Sequence, residues 1–336
     1  MTSQPRLTEL DRPGSLIAAL PAVLGFVPVH SLVLVTIDGG DMGPVLRVDL
    51  SAALTAGTEH FASVVASSSP DSAIAVIVDD TSADHLDLAD ELAASLDEHG
   101  IMLLAALVVD RLAPGGRWRC IDGCGAGGVI DDPEASPMAA AAVLDGRRLY
   151  DRREELQEVV GVVDPDRRVR LREAINRCAP TGNEAAAGVR LALRMAEQVG
   201  ADTELDDSDV AALARALADP LVRDTLYALA VGERAAEAEA LWTRLARILP
   251  DPWRAEALVL VAFSAYARGD GPLAGIALEA ALNCRPTHRM AGMLDQALQS
   301  GLHPRQIREL ALTGYRTAAQ LGVELPTRLA WGQRSA

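Results

Sequence analysis

Apolar and polar positions alternate in short blocks over the first 130 residues of the chain. Residues 31–37 are apolar on both faces, which is typical of a strand in a sheet that is covered on two sides. Residues 73–78 and 101–109 are two further predicted strands. Helical spacing of apolar residues marks three further segments: residues 14–24, 58–67 and 83–99. The resulting order of helices and strands predicts a mixed β-sheet with covering helices.

Two turns complete the predicted sheet. Asp38-Gly39-Gly40 joins the first apolar run to residues 44–50, where apolar and polar side chains alternate, so we expect a β-hairpin here. A Pro-Gly-Gly turn at residues 114–116 precedes a last short strand at residues 117–121. The loop at residues 122–137 then ends the predicted sheet, because no strand pattern recurs after it.

From Met138 onward the apolar positions recur with helical spacing, and turn residues divide the sequence into about eight helices. Residues 255–266 are apolar nearly all round, which predicts a helix inside the bundle. Between residues 258 and 286 the spacing of small and large residues is that of a tetratricopeptide (TPR) helical hairpin. Any alanine-rich antiparallel helix pair shows much the same spacing, so both interpretations stay open.

These patterns predict an α+β protein of two domains. Residues 1–132 are expected to form an α/β domain with a mixed sheet. Residues 133–336 are expected to form an all-α helical array with a TPR-like hairpin near the C-terminus. A chain of 336 residues is long enough for two such cores without metals or disulfides.

The charge balance argues against two classes of partner. The formal net charge is -16, and such a field repels phosphate backbones and anionic membrane surfaces, so we expect neither nucleic-acid nor membrane binding. Arginines crowd residues 147–177, but interleaved carboxylates cancel their charge. The apolar run at residues 16–27 follows acidic residues and contains Pro21, so it fails as a signal peptide, and we expect a cytoplasmic protein.

All 31 basic residues of the chain are arginine. A P-loop, a pyridoxal-phosphate enzyme and a protein kinase each need a lysine, so the sequence excludes these three classes. Any site for an anion must therefore use guanidinium groups, which can bind carboxylates and phosphates through two parallel hydrogen bonds.

The cysteines and histidines form no recognisable metal motif. Cys120 and Cys124 are separated by three residues, as zinc ligand pairs can be, but a closed zinc site needs four ligands and no second pair exists. The six histidines show no H-E-x-x-H spacing, and no G-x-S-x-G motif is present. We therefore expect no cofactor and no metal, and in particular no structural metal at the two cysteines.

Gly123, Gly125 and Gly128 satisfy the dinucleotide-binding pattern G-x-G-x-x-G. In a functional fingerprint this pattern opens a helix whose N-terminus holds the pyrophosphate, whereas residues 129–137 contain two prolines and no helical period. The pattern therefore favours a flexible glycine-rich loop over a nucleotide site.

One group of polar residues on the predicted strands could bind a ligand. Arg47 and Asp49 project from the same face of one strand, beside Ser31 at the start of its neighbour, and Arg117 begins the last predicted strand. These four are the candidate ligand-binding residues, and no residue is assigned a catalytic role. Arg47 and Asp49 form either a self-satisfied ion pair or part of a clamp for an anion, and the sequence leaves both alternatives open.

Several short motifs follow the order of a known family. They are PAVLGFVP at residues 21–28 with Ser31-Leu32-Val33, then Arg47-Val48-Asp49-Leu50, Arg117-Trp118 with Cys120, Ser136-Pro137 and Arg153-Glu154-Glu155-Leu156. With these motifs most of the chain resembles an actinobacterial family of uncharacterised proteins, domain of unknown function 4192. Residues 123–128 depart from that family, in which an adjacent cysteine pair and a proline-rich turn are frequent. The resemblance implies the architecture but no reaction, substrate or cofactor.

Two functional hypotheses follow. The first is a non-catalytic cytoplasmic binding or scaffolding protein, because stacked helical hairpins present a groove for a protein partner and the sequence offers no nucleophile with an acid and a base. The alternative is an enzyme or small-molecule sensor with an arginine-based anion site in the α/β domain. Convergence of the four candidate residues on a cavity would favour the alternative, and simple pairing of Arg47 with Asp49 would weaken it.

Overall fold

A computed structural model describes residues 12–81, 83–144, 147–178 and 185–329 of the protein. The chain divides into two compact units: residues 1–153 with 299–301, and residues 154–298 with 302–336. The first unit contains a β-sheet and the second consists of helices, so the predicted α+β class is confirmed. That the chain folds as two separate domains stays a prediction.

A six-stranded sheet lies at the centre of the first unit. Its strands are β1 (Ser31–Asp38), β2 (Asp41–Asp49), β3 (Ser72–Val78), β4 (Met102–Val109), β5 (Arg117–Cys120) and β6 (Gly127–Val129). Their order across the sheet is β2-β1-β3-β4-β5-β6. The pair β3–β4 is parallel and the other neighbouring pairs are antiparallel, which confirms the predicted mixed sheet.

The predicted hairpin is present, and one strand was not predicted. β1 and β2 pair in antiparallel register, and Gly39 and Gly40 have the positive φ angles that their tight turn requires. β6 lies in the loop where the sequence predicts no strand, and its residues pair with those of β5. Three residues of sequence Gly-Gly-Val are too few to show the alternation by which a strand is recognised.

Five helices accompany the sheet: α1 (Pro13–Leu24), α2 (Leu50–Ala56), α3 (Glu59–Ala66), α4 (Leu86–Asp97) and α5 (Pro137–Leu144). The sequence predicts a single helix between β2 and β3, whereas the structure has two, α2 and α3. The additional helix is α2, which begins directly where β2 ends. α5 contacts α1 and belongs to the first unit, although the sequence places residues 133–153 with the helical domain.

The hydrophobic core explains why β1 is apolar throughout. Leu32 and Leu34 pack in a cluster with side chains of β3, α3 and α4. Val33 and Val35 alternate with them and are also buried, so both faces of the strand are covered. This burial fixes the register of β1 and thereby the positions of the polar residues at its ends.

The second unit contains the remaining helices: α6 (Arg153–Glu158), α7 (Pro165–Arg177), α8 (Ala185–Gly200), α9 (Asp207–Leu217), α10 (Pro220–Leu226), α11 (Ala235–Ile248), α12 (Trp253–Arg268), α13 (Gly271–Cys284), α14 (Arg289–Gln299) and α15 (Pro304–Gln320). The first residue of α6 still belongs to the first unit. The sequence predicts about eight helices after Met138, whereas the structure has eleven among the described residues, α5 to α15. Short helices such as α6 hold too few turns to show a period.

Aspartate side chains and a buried helix organise the second unit. Asp206, Asp219 and Asp270 accept backbone N–H groups at the starts of α9, α10 and α13. Residues 255–267 of α12 are buried, as predicted, and α12 packs against both α11 and α13. A TPR-like repeat stays a prediction. None of the described helices combines the length and apolar character that a membrane span needs.

Candidate functional site

Polar residues collect at the edge of the sheet where the parallel strands β3 and β4 end. Asp79 and Asp80 follow β3, and Asp110 follows β4. The antiparallel neighbours β1 and β5 begin at this same edge with Ser31 and Arg117. Ligands of open α/β sheets bind outside the carboxyl ends of the strands, so we expect a ligand site at this carboxyl edge.

Three of the four predicted site residues meet on the β1–β2 hairpin. The Nε group of Arg47 donates to the Ser31 hydroxyl oxygen at 2.9 Å, and Nη2 of Arg47 lies 2.7 Å from Oδ1 of Asp49. The guanidinium also lies over the Phe26 ring, 5.8 Å from its centre. The Arg47 side chain is only 13% exposed and Asp49 is 63% exposed. Protein groups therefore engage this guanidinium, which favours the ion-pair alternative at Arg47 and weakens the hypothesis of one anion site built from all four predicted residues.

Arg117 does not join the other three predicted residues, because three strands separate β2 from β5. It lines a cleft of about 660 Å³ together with Asp79, Thr81, Asp110, Trp118 and Arg119. The backbone N–H of Arg117 donates to the Asp110 carboxylate at 2.8 Å. Within the described ranges of the chain, its guanidinium has no hydrogen bond or ion pair. A charged donor group is therefore available in the cleft.

Asp79 is the most buried group of the cleft, with 5% of its side chain exposed. Its Oδ2 accepts the Thr81 hydroxyl at 2.5 Å and lies 2.8 Å from Nε2 of His85. Its Oδ1 accepts the Thr81 backbone N–H at 3.3 Å and lies 3.4 Å from Nδ1 of His30. Burial alone would raise the pKa of Asp79, but the hydrogen bonds from Thr81 and His85, with the nearby His30 imidazole, outweigh it and lower the pKa to about 2.

His30 and Asp80 complete what we call the Asp79 cluster: Asp79, Thr81, His85, His30 and Asp80. The side chains of His30 and Asp80 are 62% and 72% exposed, and Nε2 of the histidine lies 3.9 Å from Oδ1 of the aspartate. His30 has a φ angle of 41°, in the left-handed region that residues other than glycine seldom adopt. Its carbonyl accepts the Leu50 N–H at 2.8 Å, which holds this turn in place.

Sequence reasoning missed the Asp79 cluster because it searched for short motifs. His30 and Asp79 are distant in the sequence and meet only because Ser31 pairs with Val78 across β1 and β3. A usable signal was present, since two aspartates directly follow a buried strand and such positions meet at the edge of a sheet.

The end of β5 and the loop that follows it contain a second group of potential metal ligands, Cys120, Asp122 and Cys124, which we call the thiol cluster. Their ligand atoms lie within 4.8 Å of one another. Burial, followed by the hydrogen bond to the Asp122 carboxylate, raises the pKa of Cys120 to about 12, so this thiol is protonated at neutral pH. The sequence prediction counted only the two cysteines and not the aspartate between them.

The glycine pattern of this loop forms a strand connection. Gly123 and Gly125 have φ angles of 91° and 72°, and Gly128 lies in β6. No helix opens at this pattern; a 3-10 turn, Pro133–Ala135, follows β6. The geometry thus lacks the helix N-terminus on which a dinucleotide fingerprint depends.

The comparisons with known proteins give one match. No curated protein and no solved structure matches the chain. The family described as a domain of unknown function, DUF4192, matches residues 13–305, a span that contains the whole sheet and the helices from α1 to α14. This span is well over half of the chain and confirms the family that the sequence motifs resemble. The protein therefore belongs to the DUF4192 family.

Proposed function

We propose that the protein binds a small anionic molecule in the cleft at the carboxyl edge of β3 and β4. The observation that carries this proposal is the Arg117 guanidinium, which lines the cleft and has no partner among the residues that the structure describes. Arg47, in contrast, is already engaged by Ser31 and Asp49. A free guanidinium is the group that binds carboxylates and phosphates most specifically.

The other lining groups narrow the chemistry of the ligand. Asp110 also lines the cleft, and its carboxylate oxygens accept hydrogen bonds. A metabolite with an acidic group for Arg117 and a hydroxyl or amino group for the Asp110 carboxylate fits this arrangement. Asp79 is not proposed as a general acid, because its pKa is lowered to about 2 by its hydrogen bonds and it is then ionised at neutral pH.

A thermal-shift screen of the purified full-length protein against anionic metabolites tests this proposal. A ligand that binds only the folded state raises Tm, and we expect Arg117→Ala to abolish that shift. The matched control is Arg148→Ala, because Arg148 is also exposed in the first unit but lies over the Tyr150 ring, outside the cleft lining. A ligand shift that persists in Arg117→Ala, or disappears in Arg148→Ala, contradicts the proposal.

Three broader expectations stay part of the proposal. The helical unit is proposed to bind a protein partner, with support from α11, α12 and α13, which pack in chain order as stacked hairpins do. A cytoplasmic location is supported by four cysteines that are free thiols, as in a reducing compartment. An actinobacterial origin is supported by the lysine-free, arginine-rich composition, which suits a genome of high GC content.

A further inference from the structure

Among the residues that the structure describes, buried carboxylates are paired with arginine, with one exception. Three carboxylate side chains are buried in the described part of the chain: Asp79, Glu256 and Asp270. Glu256 lies 2.9 Å from Arg223 and 3.1 Å from Arg285, and Asp270 lies 3.1 Å from an arginine of α12. Asp79 has no arginine partner among the described residues and is held by a hydroxyl, a backbone N–H and two imidazoles.

This exception matters because a buried charge needs compensation. Buried charges in proteins are paired with an opposite charge or coordinate a metal ion. The partners of the Asp79 carboxylate are a hydroxyl, a backbone N–H and two imidazoles, and the adjacent Asp80 brings a second carboxylate. A neutral imidazole supplies a hydrogen bond but no positive charge. The cluster therefore lacks a permanent positive charge.

The positions of His30 and the two aspartates fit a bound cation. One ligand atom from each of His30, Asp79 and Asp80 lies within 4.8 Å of the others. The 3.4 Å between Nδ1 of His30 and Oδ1 of Asp79 is longer than a good N–H···O hydrogen bond. It is about the separation of two ligand atoms on a tetrahedral ion with bonds of roughly 2.0–2.1 Å. Asp80 is exposed, so its side chain can turn toward the same point.

We propose that His30, Asp79 and Asp80 bind a divalent transition-metal ion at the carboxyl edge. One imidazole and two carboxylates are a nitrogen and oxygen donor set that suits Mn²⁺, Fe²⁺ or Zn²⁺. Thr81 and His85 hold the other oxygen of Asp79 and orient it, as outer groups of metal sites do. Three protein ligands leave positions open for water or a ligand. The site shares Asp79 with the cleft but does not depend on the proposed function.

Titration of metal-free full-length protein with Mn²⁺, followed by electron paramagnetic resonance of the free ion, tests the proposal. Mn²⁺ is the probe because the thiol cluster favours Zn²⁺. We expect one bound ion per chain and a loss of affinity of about tenfold or more in His30→Ala and in Asp80→Ala. Both side chains are largely exposed, so these variants keep the fold, which circular dichroism checks.

Two controls make the result specific. His60→Ala removes an exposed histidine that lies outside the cluster, and Asp122→Ala removes the carboxylate of the thiol cluster, so both should bind Mn²⁺ as the wild type does. Absence of Mn²⁺ binding, unchanged binding in His30→Ala and Asp80→Ala, or loss of binding in Asp122→Ala overturns the proposal. A protein that binds Mn²⁺ as expected but no anionic metabolite keeps this site and contradicts only the proposed function.

Discussion

Each unit of the protein buries a carboxylate against a histidine, and the surroundings of the two pairs differ. Asp79 lies 2.8 Å from His85 in the first unit, and Glu256 lies 3.0 Å from His288 in the second. Glu256 also has two arginine partners and belongs to the buried helix α12. Asp79 has none among the described residues and borders an open cleft. A buried carboxylate–histidine pair is thus part of a closed structural cluster in the second unit and part of a candidate site in the first.

The Glu256 cluster, formed by Glu256, Arg223, Arg285 and His288, holds α10, α12 and the segment before α14 together. Burial alone would raise the pKa of Glu256, but the hydrogen bonds from His288 and Arg223 outweigh it and lower the pKa. Because charge and hydrogen bonds are satisfied within the cluster, its role is structural. Removal of the buried carboxylate is therefore expected to lower the free energy of unfolding by a different amount in each cluster.

The largest effect is expected for Glu256→Ala. It leaves the partly buried Arg223 without its main counter-charge and His288 without its acceptor, so we expect the free energy of unfolding to fall by about 3–5 kcal/mol. Urea denaturation measures the change. Glu197→Ala is the control, since Glu197 pairs with Arg234 on the surface, and it should cost less than about 1 kcal/mol. A Glu256→Ala protein as stable as the control variant would show that the cluster is not structural.

Asp79→Ala should have a smaller effect, because no buried arginine loses its partner. It removes the acceptor of Thr81 and His85, and unsatisfied buried donors cost about 1–3 kcal/mol. Asp80→Ala, at the adjacent exposed position, should cost under about 0.5 kcal/mol. A loss in Asp79→Ala as large as that in Glu256→Ala would place the two clusters in one class and contradict the comparison.

The pH dependence of stability tests the charge on Asp79 separately. Its pKa is lowered from 3.8 to about 2, so ionised Asp79 stabilises the fold above about pH 4. This stabilisation is lost as the pH falls toward 2, because the carboxyl must then take up a proton in the folded state. We expect the decrease in unfolding free energy between pH 4 and pH 2 to be smaller in Asp79→Asn than in the wild type. Equal decreases in both proteins would contradict a lowered pKa of Asp79 in the folded state.

The two candidate arginines of the first unit, Arg47 and Arg117, are expected to give the smallest changes in stability. Arg47→Ala should cost about 1 kcal/mol, because the hydrogen bond to Ser31 and the contact with Phe26 are lost while Asp49 stays hydrated. Arg117→Ala should cost less than about 0.5 kcal/mol, since its guanidinium has no partner in the described part of the chain. Thermal denaturation compares them. A larger loss for Arg117→Ala than for Arg47→Ala would reverse their assigned roles.

Much of the fold could be predicted because it follows from hydrophobic patterns. β1 is apolar on both faces and α12 is apolar all round, and both are buried as these patterns predict. β6 was missed because three residues are too few to show a period. α5 and α6 were not separated, because the first turn signal that the sequence gives after Met138 is at Asp164-Pro165. α2 was missed because it starts directly after β2, with no side-chain cap to mark its beginning.

The candidate site could be predicted only in part. Ser31, Arg47 and Asp49 could be placed together because a tight turn fixes the register of neighbouring strands. The order of β3, β4 and β5 across the sheet determines where Arg117 lies, and local sequence does not determine that order. The pairing of β1 with β3, which brings His30 to Asp79, is likewise a long-range property.

The most direct test of the difference between the two buried pairs is the Tm of the full-length protein with and without Mn²⁺, in the wild type and in a His30→Ala, Asp80→Ala double variant. An ion that binds only the folded state raises Tm in proportion to the logarithm of its concentration once the site is saturated. We predict such a rise in the wild type and none in the double variant. An unchanged Tm in the wild type, or the same rise in both proteins, would contradict the assignment of the Asp79 cluster as a metal site.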